Sequence, residues 1–170
     1  ILKELFNQKK PVVLDADGIN ALSTHIDIGK VRACDLVLTP HPGEMARLTG
    51  KTVQEIESAR EETAREFAES FGATLLLKGH RTVIASPEGA VHVNQTGNSG
   101  MASGGMGDVL SGVIGSLIGQ GAPPYDAAVL GAFLHGLAGD MAADRLGEHS
   151  LLARDVIDTL PQAIRALGRT

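Results

Sequence analysis

The residues most able to do chemistry stand together at Thr96-Gly97-Asn98-Ser99-Gly100-Met101-Ala102-Ser103-Gly104-Gly105-Met106-Gly107-Asp108. Nine of the 21 glycines fall between Gly97 and Gly121, a glycine-rich loop running into a helix. Glycines clustered before a helix let several backbone N–H groups face one spot, and the helix dipole adds to the attraction for an anion such as phosphate. No Lys-Ser or Lys-Thr pair follows, and the G-x-G-x-x-G spacing is absent, so this is neither a Walker loop nor a dinucleotide fingerprint. A carboxylate beside a phosphate cradle repels the ligand unless it has a task. Asp108 is therefore read as the base that takes a proton from an attacking hydroxyl; the competing reading is a helix-starting carboxylate.

Three further polar segments each follow a short apolar run: Asp15-Ala16-Asp17-Gly18-Ile19-Asn20, Thr39-Pro40-His41-Pro42-Gly43-Glu44 and Lys78-Gly79-His80-Arg81-Thr82. Ligands of open α/β sheets bind beyond the carboxyl ends of the strands, which is where these segments fall. The prolines and Gly43 stiffen the second segment, presenting His41 for a substrate contact and Glu44 for a metal-bound water. Glu44 as a first-turn helix carboxylate and His41 as a solvated loop residue remain the alternatives. A lysine straight off a buried strand is costly unless it meets an anion, which makes Lys78 a phosphate contact. Asp15 and Asp17 are weaker candidates for metal or ligand, since Asp commonly starts turns. His135, mid-helix among small residues, reads as a core histidine.

The elements that must position these residues follow from periodicity. Apolar side chains at Ile1, Leu2, Leu5 and Phe6 mark the end of a helix stopped by Pro11. Strands are expected at 12–14, 36–38 and 74–77, with the continuous apolar character of a parallel sheet. A helix between the last two opens on the capping box Thr52 and Glu55, continues through Ile56, Phe67 and Phe71 and stops at Gly72. Segments 82–86 and 90–94 read as two strands joined by a turn. Two helices follow. The first has a stripe at Gly112, Gly115 and Gly119, expected to receive the small stripe Ala128, Gly131, Ala132 and Gly139 of the second, which spans 125–145. A last helix over 153–167 is expected to kink or break at Pro161.

The chain has 170 residues, and no repeat or linker divides it, so one α/β domain over 1–170 is expected. With 15 Lys plus Arg against 20 Asp plus Glu, the net charge of −5 argues against nucleic acid and anionic membranes as partners. No apolar run approaches the roughly 18 residues of a membrane span. Cys34 is the single cysteine, which suits a reducing cytoplasm.

These four loops, in this order and over nearly the whole chain, resemble the NAD(P)H-hydrate dehydratase family, a branch of the ribokinase-like superfamily. The resemblance rests on Asp15 to Leu22, Leu38 to Glu44, Leu77 to Thr82 and Gly97 to Asp108. It implies a three-layer α/β/α fold with a mostly parallel sheet, incomplete because the family's earlier strands have no counterpart here. It implies repair of hydrated NADH and NADPH with ADP or ATP, and Mg²⁺ organised by Glu44. Asp108 and His41 would face the hydrated nicotinamide nucleotide. Lys78, Gly79, His80, Arg81 and Thr82, with Asn98, Gly104, Gly105 and Gly107, would meet the adenine nucleotide. Asp108 would deprotonate the ring hydroxyl, the terminal phosphoryl group would transfer to it, and phosphate would then leave. Ser99 stands where the family often has proline. The resemblance also implies a partner, the missing N-terminal part of the domain, and a homo-oligomer is expected besides. A small-molecule kinase and a silent nucleotide-binding module are the rival readings.

Overall fold

The inner strands divide their side chains between two cores. In the computed structural model, which describes residues 1–168, the strands are β1 (Val12–Leu14), β2 (Leu36–Leu38), β3 (Thr74–Leu77), β4 (Val83–Ala85) and β5 (Val91–Val93). Leu36 and Leu38, Leu75 and Leu77, and Val83 and Ala85 enter a core on one face of the sheet. Val37, Leu76 and Ile84 enter a second core on the other face. The two-residue period of a strand makes that division unavoidable once both faces are covered. The sheet order is β1-β2-β3-β4-β5. β1, β2 and β3 are parallel, and β4 and β5 run antiparallel to their neighbours, so the sheet is evenly mixed by pairing rather than mostly parallel.

The first core is closed by α1 (Leu2–Phe6), α2 (Ala16–Ser23), α3 (Ile26–Lys30), α4 (Pro42–Thr49), α5 (Val53–Ser58) and α6 (Arg60–Phe71). The second is closed by α7 (Met106–Gly119) and α8 (Pro124–Leu146), and α9 (Ala153–Leu167) adds a third cluster against them. The result is the expected three-layer α/β/α arrangement. No helix among the described residues is long and apolar enough to cross a membrane.

Four expectations change. The helix foreseen from Thr52 to Gly72 is two helices, interrupted at Ala59, whose φ of −142° and ψ of 49° are not helical. The interruption places Arg60 so that its guanidinium reaches Glu57 and the carbonyls of Leu77 and Lys78 at the end of β3. The segments after β1 and β2 are helix starts rather than open loops. Gly112, Gly115 and Gly119 do not receive α8; the space beside each is open. α8 instead receives Ile114 at Gly131, where an added Cβ would lie 2.7 Å from the Ile114 side chain. Lastly, α9 runs through Pro161 without a break. A proline removes the hydrogen bond to the carbonyl four residues earlier, here Ile157, and both residues are exposed, so water can take the place of that donor.

Candidate active site

The carboxyl ends of the three parallel strands are tied together before any side chain acts. The Thr39 N–H donates to the Leu14 carbonyl at 3.2 Å, and the Lys78 N–H donates to the Pro40 carbonyl at 2.8 Å. Asp15, His41 and Lys78 therefore leave the sheet side by side.

Asp15 is the hub that the sequence underrates. Its Oδ1 accepts from Lys78 Nζ at 2.6 Å, and its Oδ2 accepts from Ser111 Oγ at 3.0 Å. The two side chains are mostly covered, with 14% and 21% of the Asp15 and Lys78 surfaces exposed. Burial pushes the Asp15 carboxyl up, but the Lys78 hydrogen bond and charge, with the Ala16 N–H and Ser111, outweigh it and hold it below the ordinary value. The next residue, Ala16, has a φ of 45°, an unusual conformation for a residue with a side chain. Lys78 was expected to meet a phosphate; the anion it meets in this structure is a carboxylate of the chain itself. Glu44 stands 4.0 Å from the same ammonium.

Gly107 closes this cluster from α7. A Cβ there would lie 3.3 Å from both Asp15 Oδ2 and Lys78 Nζ, so glycine lets the helix start sit closely on the ion pair, and a larger residue would have to push those side-chain ends aside. Ser111, one turn on, faces the same pair. Asp108 is rotated off that face. Its side chain is exposed and borders an apolar groove of about 530 Å³ with Val109, Val113, Leu117, Ile157 and Ile164. Asp108 makes no hydrogen bond or ion pair with His41 or Lys78 among the described residues.

The glycine-rich loop divides into two halves. In the first, the N–H groups of Gly97, Gly100, Met101 and Ala102 all donate within the protein. In the second, those of Gly104, Gly105, Gly107 and Asp108 have no acceptor among the described residues. The free ends of a helix start point outward along its axis and favour an anion. Asn98, expected at the nucleotide, belongs to the first half: its Oδ1 accepts from Gly100 and its Nδ2 donates to Asp140.

His41 and Glu44 form a capping box at the start of α4. His41 Nδ1 accepts from the Gly43 and Glu44 N–H groups at 2.9 and 3.3 Å, and Glu44 Oε2 accepts from the His41 N–H at 2.8 Å. With Nδ1 accepting, the neutral ring carries its proton on Nε2, which stands 3.5 Å from Glu44 Oε1 on the more open side of the ring. Glu44 is buried and occupied by this cap, and among the described residues no group of three or more His, Cys, Asp or Glu could hold a metal ion. A histidine N-cap lies outside the usual Ser, Thr, Asp and Asn set, so the helix start was hard to see, although Glu three residues on was a visible signal.

The segment from Lys78 to Thr82 is the turn between β3 and β4. Arg81 takes a positive φ of 54°, and Thr82 Oγ1 donates to the Gly79 carbonyl at 3.0 Å. Gly79, His80 and Arg81 are exposed, beside Lys78. Sequence reading also missed Ser111, three residues beyond Asp108 in α7, and Asp140, which sits in α8 far from any motif.

Known proteins resemble this chain in sequence and fold. A family model described as NAD(P)H-hydrate dehydratase matches residues 1–162. The bifunctional NAD(P)H-hydrate repair enzyme of Moorella thermoacetica is 51% identical over 168 residues, covering 98% of this chain and 32% of that protein. A crystal structure of the ADP/ATP-dependent NAD(P)H-hydrate dehydratase from Bacillus subtilis, co-crystallized with ATP/Mg2+, is 35% identical with a TM-score of 0.86, covering 95% of this chain and 57% of that one. A ribokinase-like superfamily protein from Enterococcus faecalis is 29% identical with a TM-score of 0.79, over 97% of this chain and 57% of that one. The chain thus spans between about a third and three fifths of the length of these relatives. Its fold is ribokinase-like, and with the family match running through all four loops, the chain belongs to the NAD(P)H-hydrate dehydratase family.

Proposed function

We propose that this chain carries the phosphoryl-transfer half of an NAD(P)H-hydrate dehydratase site, with ADP or ATP as donor and hydrated NADH or NADPH as acceptor. One observation supports it above the others: Gly104, Gly105, Gly107 and Asp108 offer amides with no protein acceptor, at a helix start packed against Lys78. Amides fixed in place before the reaction stabilise charge without reorganising, which is most of what phosphoryl transfer requires of a protein.

On this reading the terminal phosphate lies at the start of α7, and Lys78 shares its charge between Asp15 and that phosphate. Asp108 accepts the proton of the ring hydroxyl as its oxygen bonds to phosphorus and the bond to the nucleotide's leaving oxygen breaks. The carbon–oxygen bond of the ester then breaks, phosphate leaves with the bonding pair, and the adjacent ring carbon gives up a proton to solvent as the nicotinamide double bond forms. His41 offers Nε2–H to the substrate, and Gly79, His80, Arg81 and Thr82 border the nucleotide. Any Mg²⁺ arrives on the nucleotide phosphates, as is usual for an ion that takes few protein ligands. The same reading assigns the open edge of β1 and the apolar groove to elements that complete the domain, supplied by polypeptide outside these 170 residues. The share of the relatives' length that this chain spans supports that assignment. A cytoplasmic setting fits the single cysteine, Cys34, which is buried and free.

The test is Asp108→Asn in the complete domain. Regeneration of NADH from its hydrate should fall about 10²–10⁴-fold, the usual weight of a general base, while ADP affinity measured by calorimetry stays near wild type. Unchanged turnover would remove Asp108 from the mechanism. A stable phosphoester in place of NADH and free phosphate would make the protein a kinase.

A further inference from the structure

The first half of the glycine-rich loop lies along α8. Asn94 Nδ2 donates to the Ala132 carbonyl at 3.4 Å, and Thr96 Oγ1 donates to the Phe133 carbonyl at 3.0 Å. Gly136 and Gly139 leave room for Thr96 and Met101 to lie on the helix. Asp140 ends this platform, half-buried and without an ion-pair partner among the described residues. Its Oδ2 accepts from the Gly97 N–H at 2.8 Å, and its Oδ1 accepts from Asn98 Nδ2 at 2.9 Å. Asn98 Oδ1 in turn accepts from the Gly100 N–H at 3.1 Å.

These bonds make a chain with a backbone donor at each end: Gly97, Asp140, Asn98, Gly100. Between two donors, a pair of side chains satisfies every link only if one is a carboxylate and the other a carboxamide. Two carboxamides leave a donor facing a donor whichever way each amide is turned. Two carboxylates leave an acceptor facing an acceptor, with two like charges in contact. The structure therefore demands a single negative charge at this point, and no cation explains it.

We propose that Asp140 is a positioning residue: with Asn98 it clamps residues 97–100 onto α8, and so fixes the second half of the loop, whose free amides receive the phosphate. The clamp acts through the short helical turn Ser99–Met101, in which the Met101 and Ala102 N–H groups donate to the Asn98 and Ser99 carbonyls. Contact of Ser99 with the Glu148 carboxylate fastens the far side. Asp140 touches no reacting atom in this account. The role in phosphate binding rests on the nucleotide reading above, whereas the clamp itself does not.

The experiment compares wild type, Asp140→Asn, and the exchanged pair Asp140→Asn with Asn98→Asp. The exchanged pair keeps the net charge and all three hydrogen bonds with the roles reversed. Hydrogen exchange of the Gly97 and Gly100 amides is followed by NMR, and ADP affinity by calorimetry. In Asp140→Asn, exchange at both amides should accelerate and ADP binding weaken by about tenfold, the loss of roughly one hydrogen bond to a charged group. The exchanged pair should recover both. Wild-type affinity in Asp140→Asn, or an exchanged pair that binds no better than the single variant or fails to fold, overturns the proposal. Should Asp140→Asn itself not fold, the exchanged pair against wild type decides. If wild type binds no ADP, the nucleotide reading fails separately. The clamp is then judged on exchange alone: protection lost in the single variant and regained in the pair upholds it, and unchanged protection overturns it.

Discussion

At the scale of single residues, the ion pair of Asp15 and Lys78 decides how the site responds to acid. Asp15 is held below the ordinary carboxylate value of 3.8. Just under that value the unfolded chain takes up a proton that the folded chain refuses, so the stability given by the pair is full above it and fades as pH falls through the folded-state value. Asp15→Asn leaves Lys78 without its close partner. We expect a loss of about 2–3 kcal/mol at neutral pH, toward the low end for breaking a covered pair because both groups keep some water. The gap to wild type should narrow in urea titrations as pH falls below about 4; a constant gap would show that the pair contributes nothing. His135 sets a second, higher window. Burial pushes its pKa down to about 4, against a hydrogen bond to the Met106 backbone, and its Nε2 has no partner. Folded His135 stays neutral while the unfolded chain protonates, so stability should fall from about pH 6.5 to about pH 4, by roughly 3 kcal/mol over that interval. His135→Gln should flatten that part of the urea-against-pH curve. An unaltered slope would mean that the ring reaches water.

At the scale of elements, helix starts carry the site. α2, α4 and α7 begin where Asp15, His41 and Asp108 stand, so residues read from the sequence as loop chemistry are also caps and first-turn residues. Local rules resolved much of this: the Thr52–Glu55 capping box appears as foreseen, and all five strands lie where apolar runs placed them. The glycine stripe of α7 was legible as a stripe but not in its direction, because helical spacing says which residues share a face and not what that face meets. The space beside Gly115 is open. Gly115→Ala in this chain should therefore raise stability by about 1 kcal/mol, the helix preference of alanine over glycine, as read from the urea midpoint. A loss instead would show that another segment already covers the stripe.

At the scale of the whole molecule, two surfaces stand open together. β1 is an edge strand with one unpaired side. The groove beside α7 exposes Ile157 and Ile164, at 50% and 54%. Edge strands and contiguous apolar surface both promote association. The 170-residue chain by itself should therefore show concentration-dependent self-association in sedimentation velocity. A monomer at every concentration up to about 100 µM, where such contacts normally tell, would count against it. On the reading proposed above, extending the chain by polypeptide that completes the domain should suppress this association and raise ADP-dependent turnover together.

The sequence alone determined which residues belong to the strands, which residue types gather at their carboxyl ends, and that a glycine-rich turn precedes Asp108. Those features follow from periodicity, turn chemistry and local capping, each set by neighbours within a few positions. Only the tertiary structure decided that Lys78 meets Asp15, that Gly107 sits closely on that pair, that Asn98 serves Asp140, and that Glu44 caps its own helix. The Asp15–Lys78 and Asn98–Asp140 partners come from distant stretches of chain. Glu44 had a local signal that two equally good chemical roles left undecided. A carboxylate's choice among donors is settled by which of them the packed elements bring within hydrogen-bonding distance, and spacing along the chain does not encode that.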